Sequence, residues 1–296
     1  MQKEYWYLII AAILYGGITA GGQFLANLGM SLYEISFYPT IFMGLFLLIL
    51  FFHRRQYPLK RKMLPFFLVF GLIGALTILC QFGGIILGVP VAIVAFLLYT
   101  QPIWTTIFGK LILGETISAR KILSVLIALA GILLLLRSWD SEGTGSPLGI
   151  ILASFGGVFL SLWIIWGRKS AVDNLHYMTA TTGWAIFSSL WLLLLWPIIG
   201  FLSQDLIIVR LSTEFPLRYW FYLVLFAFLI HIIPSLFFFK SIQKIDAFTA
   251  GIILLLEPVS ATILASIIFA QPVGLNIIAG GCLILFSNYL AIQKHY

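Results

Sequence analysis

The chain has 296 residues, 61% of them hydrophobic and 9% charged, with a formal charge of +7. That apolar content exceeds what a soluble core uses, and the basic excess sits in short connectors, where it orients a membrane protein and does not mark a nucleic-acid surface. Cys80 and Cys282 both lie inside apolar runs, which gives no support to a disulfide framework or a metal cluster.

Apolar runs bounded by charges, Gly or Pro predict ten helices, each near the ~20 residues that cross roughly 30 Å of hydrocarbon. The first, 5–28, follows Lys3 and reaches "ANLGMS" without a cleavage signal, so it reads as a retained helix and not a signal peptide. It holds Tyr15, Gln23 and "GGITAGG", whose Gly17 and Gly21 stand four apart, a spacing for close helix contact. The second, 34–52, ends at the basic connector "HRRQYPLKRK". The third, 63–87, carries Thr77 and, one turn on and on the same face, Gln81, among Gly71, Gly74, Gly83 and Gly84. The fourth, 91–113, contains "LLYTQPIW", with Tyr99, Thr100, Gln101, Pro102 and Trp104.

After it comes "GETISARK", where Glu115 stands near Arg120 and Lys121 as a surface ion-pair cluster or part of a gate. The fifth helix, 117–137, is followed by a polar linker, 138–147. The sixth, 147–168, holds Trp163 and Trp166, and the seventh covers 176–200. The eighth, 217–240, carries His231; the ninth, 246–269, carries Glu257 and Pro258; the tenth is 272–291. With the amino terminus inside, Arg137, Arg210 and Arg218 fall outside and the other Lys and Arg residues, among them Arg54, Arg55 and Lys294, fall on the cytoplasmic side. That split follows the positive-inside rule and predicts both termini in the cytoplasm, in a multi-pass protein of the plasma membrane.

An offset of 156 residues sets "LLYTQPIWTTIFGKLILGETI" (97–117) on "ILLLEPVSATILASIIFAQPV" (253–273), aligning Pro102 with Pro258, Thr106 with Thr262 and Gln101 with Glu257. The connector after helix 4 is charged and its counterpart after helix 9 is bare, whereas the connector before helix 9 carries Lys240 and Lys244 and "GVP" before helix 4 has no charge. Two five-helix units, 1–137 and 148–296, of opposite orientation account for this, the inverted repeat of many secondary transporters. The expected fold class is thus an all-α integral membrane protein of ten transmembrane helices in two inverted five-helix repeats.

"FFFKSIQKIDAFTAGIILLLEPVSATILASIIFAQPV" and "GGIILGVPVAIVAFLLYTQPIWTTIFGKLILGETISARKILSVLIALAGILLL" resemble the end-of-repeat segments of the drug/metabolite transporter superfamily, EamA-type branch. The resemblance spans nearly the whole chain and rests on the prolines of helices 4 and 9, Gly114-Glu115, and the small residues Ala128, Ala130 and Gly131 of helix 5. It implies ten helices with cytoplasmic termini, a cavity between the halves, and helices 5 and 10 at the periphery. The sequence departs from the family after helix 9, where Ala270-Gln271 stands in place of a second Gly-Glu.

Glu257 carries the strongest chemical signal. A carboxylate at bilayer mid-depth is costly and usually faces a bundle interior or a water-filled path. The ring of Pro258 frees the carbonyl of Leu254, which also suits backbone lining a cavity. The group reads as a site for a substrate ammonium or a proton, the plain alternative being a protonated carboxyl that staples two helices. His231 on the preceding helix makes a proton-linked partner, or an interhelical hydrogen bond. Gln23, Gln81, Tyr99 and Gln101 suit an amino or carboxyl group, or helix-to-helix bonding. Tyr15, Trp104 and Trp163 offer stacking or cation–π surface. Tyr5, Trp6, Tyr7, Tyr219, Trp220 and Tyr222 read as the interfacial belt.

No Walker A motif, HExxH, clustered acidic pair in the spans or ring-forming filter occurs. The reading is a secondary transporter of a small metabolite, an amino acid or related zwitterion or amine, working by alternating access, with export the direction the resemblance suggests. No cofactor or metal is expected, and the partners are the bilayer and a small-molecule substrate, with possible proton coupling. A multidrug or hydrophobic-cation carrier of the same fold is the near alternative, and a membrane-embedded enzyme the alternative of another class.

Overall fold

The computed structural model describes residues 3–53, 60–89, 91–135, 146–269 and 274–292. Arg54, Arg55, Arg137, Lys294, Ala270-Gln271 and linker residues 138–145 lie outside them. Among the described residues all regular structure is helical, in runs whose ends fall within four residues of the predicted ones. The runs are α1 (Lys3–Asn27), α2 (Leu32–His53), α3 (Leu64–Ile86), α4 (91–113), α5 (Ala119–Leu135), α6 (Pro147–Val172), α7 (Tyr177–Leu202), α8 (Leu217–Ser241), α9 (247–269) and α10 (Leu275–Ile292). By length and composition α1, α2, α3, α6, α7 and α8 each suffice to cross a membrane; the other runs are shorter or interrupted in their described residues.

Local chemistry sets the helix ends. Pro65 and Pro147 occupy the first turns of α3 and α6, where an amide would have no partner anyway. The Asp246 carboxylate accepts the Thr249 amide at 3.0 Å and opens α9. Gly114, at φ +69°, closes α4 in the left-handed region that favours glycine.

Among the described residues four runs are irregular. α1 is interrupted at Gly16, α4 at Tyr99–Thr100 and α9 at Leu255, while Ala227–Ile232 of α8 is a π-helical stretch. The breaks in α4 and α9 fall just ahead of Pro102 and Pro258, as a missing amide requires. A glycine backs each of them. A Cβ on Gly157 of α6 would stand 2.7 Å from Leu97 O and 2.8 Å from Thr100 Oγ1; one on Gly16 of α1 would stand 2.9 Å from Glu257 O.

Most helix packing joins the two halves of the chain. α3 packs on α6 and α8 on α1; α4 packs on α6 and α9 on α1; α3 meets α7 and α8 meets α2. The pairs α2–α7, α4–α9 and α5–α10 also cross the halves. Each of these contacts is repeated, or maps on itself, when every helix is exchanged for the one five places along. α10 packs chiefly on α5, with Gly131 of α5 so near Gly280 O that a Cβ would stand 2.8 Å away.

The two ends are closed by different chemistry. At one end the α8–α9 connector is the hub: Lys244 reaches Glu4 at 2.7 Å, Arg168 donates to Ile242 O at 2.8 Å and Gln243 O at 3.0 Å, and Lys121 pairs with Asp246 at 3.4 Å. Glu115, read from the sequence as part of an ion-pair cluster or a gate, accepts the Ala247 and Phe248 amides at 2.7 and 3.2 Å. The first turn of α9 leaves those amides without helical partners, and a carboxylate satisfies two at once. Burial holds the Glu115 carboxyl above the ordinary carboxylate range, and the nearby Asp246 charge adds to this, against the pull of the two amides and Lys121. At the opposite end Glu34, fully buried, takes both Nε and Nη2 of Arg210 at 3.0 Å and the amides of Ser31 and Ser212 at 2.8 and 3.0 Å. That bidentate clasp ties the α7–α8 connector over the α1–α2 turn.

Candidate functional site

The four irregularities converge on one cavity at mid-depth. It is small, with about 60 Å³ open to the centre of a water-sized atom. α1 supplies Tyr15 and Ile18 from either side of its break; α4 supplies Leu98, α8 His231, and α9 Leu254 and Glu257. α3 adds Gly74, Thr77, Ile78, Gln81 and Phe82, and Leu160, Trp163 and Trp184 come from α6 and α7. Both halves of the chain therefore build the wall. Irregular backbone in a membrane protein is tolerated where it is buried in protein or lines a cavity, and here each irregular run supplies a lining side chain.

The Glu257 carboxyl is 6% exposed, and its Oε1 has no hydrogen-bond partner. The Tyr99 phenol is its hydrogen-bonding neighbour. The Glu257 backbone is locked in place, since the Ser260 hydroxyl bridges Glu257 O at 2.9 Å and Ile13 O at 3.0 Å across the α1–α9 contact. His231 sits edge-on to Phe226, with ring centroids 5.0 Å apart, and its Nε2 is also without a partner. Trp163 stacks on Phe238 at 4.3 Å and meets Trp184 edge-on at 5.4 Å; neither indole N–H has an acceptor. Tyr15 shares a 2.9 Å hydrogen bond with Ser235 of α8 and presents an edge to Trp163 at 6.3 Å. Buried polar atoms are nearly always paired, and among the described residues four unpaired ones lie on residues of this single cavity. One of them, a carboxyl oxygen, accepts; the two indoles donate; the imidazole does either.

Of the residues singled out in the sequence, Tyr15, Gln81, Trp163, His231 and Glu257 meet in this cavity, with Tyr99 behind Glu257. Gln101 is 1% exposed and lies outside it: its amide donates to Gly251 O at 2.6 Å, and its oxygen accepts the Thr105 hydroxyl at 2.8 Å, which in turn reaches Ser161 at 3.0 Å. It braces α4 against α9 and, through Thr105, against α6. Gln23 donates to Asn27 at 2.8 Å on its own helix. Pro102 and Pro258 stand just beyond the two breaks, while Trp104 stacks on Phe108 outside the cavity. Trp184, in "TTGWAIF", belongs to the site although nothing local in the sequence distinguishes it; only the packing of α7 on α3 turns it inward.

A family model described as EamA-like transporter family matches residues 2–137 and 147–293. An uncharacterized transporter of Archaeoglobus fulgidus is 24% identical over 304 residues, 99% of this chain and 97% of that protein. The pseudopaline exporter CntI of Pseudomonas aeruginosa is 26% identical over 161 residues, 53% of this chain and 56% of that one. The crystal structure of another protein superposes with a TM-score of 0.77 over 98% of this chain and 96% of that chain, at 15% identity, which shows a shared fold.

Proposed function

The chain belongs to the EamA-like transporter family of membrane transporters, and on that premise we propose that it is a secondary carrier for a small amine-bearing or zwitterionic metabolite, an amino acid or close relative. Glu257 takes the substrate ammonium, and Gln81, Tyr15, Tyr99 and Trp163 complete the pocket. The observation that carries this reading is the unpaired Glu257 oxygen in the same cavity as unpaired donors. A carboxyl acceptor in one cavity with the unpaired indole N–H of Trp163 suits a molecule that carries a cation and an acceptor. Cargo with several negative charges would face Glu257 and no lysine or arginine among the lining residues.

The mechanism we assign is alternating access between two inverted repeats, 1–137 and 148–296, that rock about the cavity. The exchange of helix contacts under a five-place shift, and the glycine behind each proline-associated break, support this. We place both termini in the cytoplasm of a plasma-membrane protein, since Lys121, Lys240, Lys244 and Arg168 gather at one end and Arg210 at the other. The pseudopaline exporter among its relatives favours export. Glu257 with His231 supplies a route for proton exchange.

Proteoliposomes test the proposal. Saturable counterflow of an amino acid is expected, and Glu257→Gln is expected to abolish pH-driven accumulation and counterflow together; residual transport with unchanged pH dependence removes the proton role. A carrier of hydrophobic cations is the second reading, favoured by the aromatic contacts of Trp163 with Phe238, Phe239 and Trp184. Equal transport of an amino acid and its decarboxylated amine would support that reading.

A further inference from the structure

Trp184 reaches the cavity from α7 across a point where α3 has no side chain. A Cβ built on Gly74 would fall on the indole Nε1 of Trp184 and the hydroxyl of Ser188, and 3.0 Å from Trp184 Cδ1. Both of those polar atoms lack hydrogen-bond partners, so neither bonding to α3 nor bonding within α7 fixes the indole there; the vacancy at Gly74 does. Its other neighbours are rings: Trp163 at 5.4 Å, Phe239 at 5.8 Å and Phe70 at 6.3 Å. α7 lies close on α3 here, since a Cβ at Gly71 would also stand 2.5 Å from the Phe187 backbone, and on its other side a Cβ at Gly44 of α2 would stand 3.6 Å from Ala185 O. A side chain at position 74 therefore forces the indole and the Ser188 hydroxyl to move, and a shift of the indole changes the cavity it lines.

We propose that the Gly74–Trp184 contact sets the length of substrate the cavity accepts: the ammonium is held at Glu257, and the far end of the apolar body stops against the Trp184 indole. The inference rests on the reading of Glu257 as the ammonium site and adds a specificity-determining pair to it. Primary amines or amino acids with a linear apolar body are the substrates it measures. One methylene too many in a closed apolar pocket costs about 10-fold or more.

The probes are the n-alkylammonium ions from ethyl to octyl and α-amino acids with linear side chains, scored by the thermal stabilisation each gives the purified full chain in detergent. The parent protein is expected to show stabilisation that grows with chain length and then drops. Gly74→Ala should move that drop to shorter chains, lowering the apparent affinity of the longest accepted probe ~10-fold and leaving the shortest nearly unchanged. Trp184→Leu should move it to longer chains, and Gly74→Ala with Trp184→Leu should return it toward the parent position. A cut-off that stays put in all three folded variants, or a double variant that fails to compensate, overturns the pair. If Glu257→Gln still abolishes stabilisation, the site reading survives that outcome. Failure of both series to stabilise the parent protein overturns the site reading and this inference together. Should Trp184→Leu not fold, Trp184→Phe gives a smaller shift in the same direction.

Discussion

Helices α4 and α9 break at equivalent places, yet the polar residue that follows each break has a different occupation. Gln101, after Tyr99–Thr100, spends its amide on Gly251 O and its oxygen on Thr105. Glu257, after Leu255, leaves one oxygen unpaired inside a cavity. The same backbone device thus serves as a brace in one half and as an open position in the other. An amide can be wholly satisfied by its neighbours with no charge to compensate, whereas a carboxyl in an apolar bundle is costly unless something else enters.

Four measurements bear on that contrast. The largest effect is expected for Glu257→Gln, which should cut transport at least about 100-fold, the scale of losing one partner of a desolvated ion pair, while leaving the melting temperature unchanged or higher. A large drop in stability would instead make Glu257 a staple like Gln101. Gln101→Leu should do the reverse, destabilising by about 1–3 kcal/mol because Gly251 O loses its donor and the Thr105 hydroxyl one of its acceptors, with substrate affinity in the folded fraction nearly intact. Denaturation in detergent alongside ligand binding separates the two.

The glycines behind the breaks come next. Gly16→Ala and Gly157→Ala should each cost about 1–3 kcal/mol by overpacking, but only Gly16→Ala presses on the Glu257 carbonyl and should also weaken substrate binding. Equal binding losses in both would erase the asymmetry. The smallest effect concerns Glu115. Its carboxyl, raised by burial, keeps its proton in the folded chain when the unfolded chain has released it, so its contribution to stability falls as pH rises from the ordinary carboxylate range upward. Glu115→Gln keeps an acceptor for one amide of α9 and removes the charge. It should gain on the parent protein as pH is raised from about 4 toward neutrality, read as the difference in melting temperature; a constant difference argues against that titration.

Much of this was legible in the residues and some was not. Apolar length bounded by charges, Gly and Pro places the helical runs, because the bilayer imposes that length, and Glu257 stands out because a lone acid in "IILLLEPVSA" has no cheap explanation. His231 and Trp163 stood out for similar reasons. Trp184, the Glu34–Arg210 clasp and the capping of α9 by Glu115 were not legible, since each depends on a partner 110 or more positions away with no local periodicity to announce it. Gln101 and Glu257 align under the 156-residue offset, but only three-dimensional neighbours distinguish a brace from a vacancy. The break at Gly16 was hidden in a stretch whose glycines read equally well as helix-packing contacts.

The π-helical stretch of α8 adds a consequence of another kind. Such a turn accommodates one residue more than the regular helix around it. Deleting a single residue from Ala227–Ile232 would restore regular winding with the faces beyond it kept in register, whereas winding the full sequence as regular helix would rotate everything beyond by about 100° and carry Ser235 away from Tyr15. When relatives that lack the bulge are aligned with this chain, a one-position gap belongs within 227–232, and residues matched without it will be compared with neighbours from the wrong side of the helix.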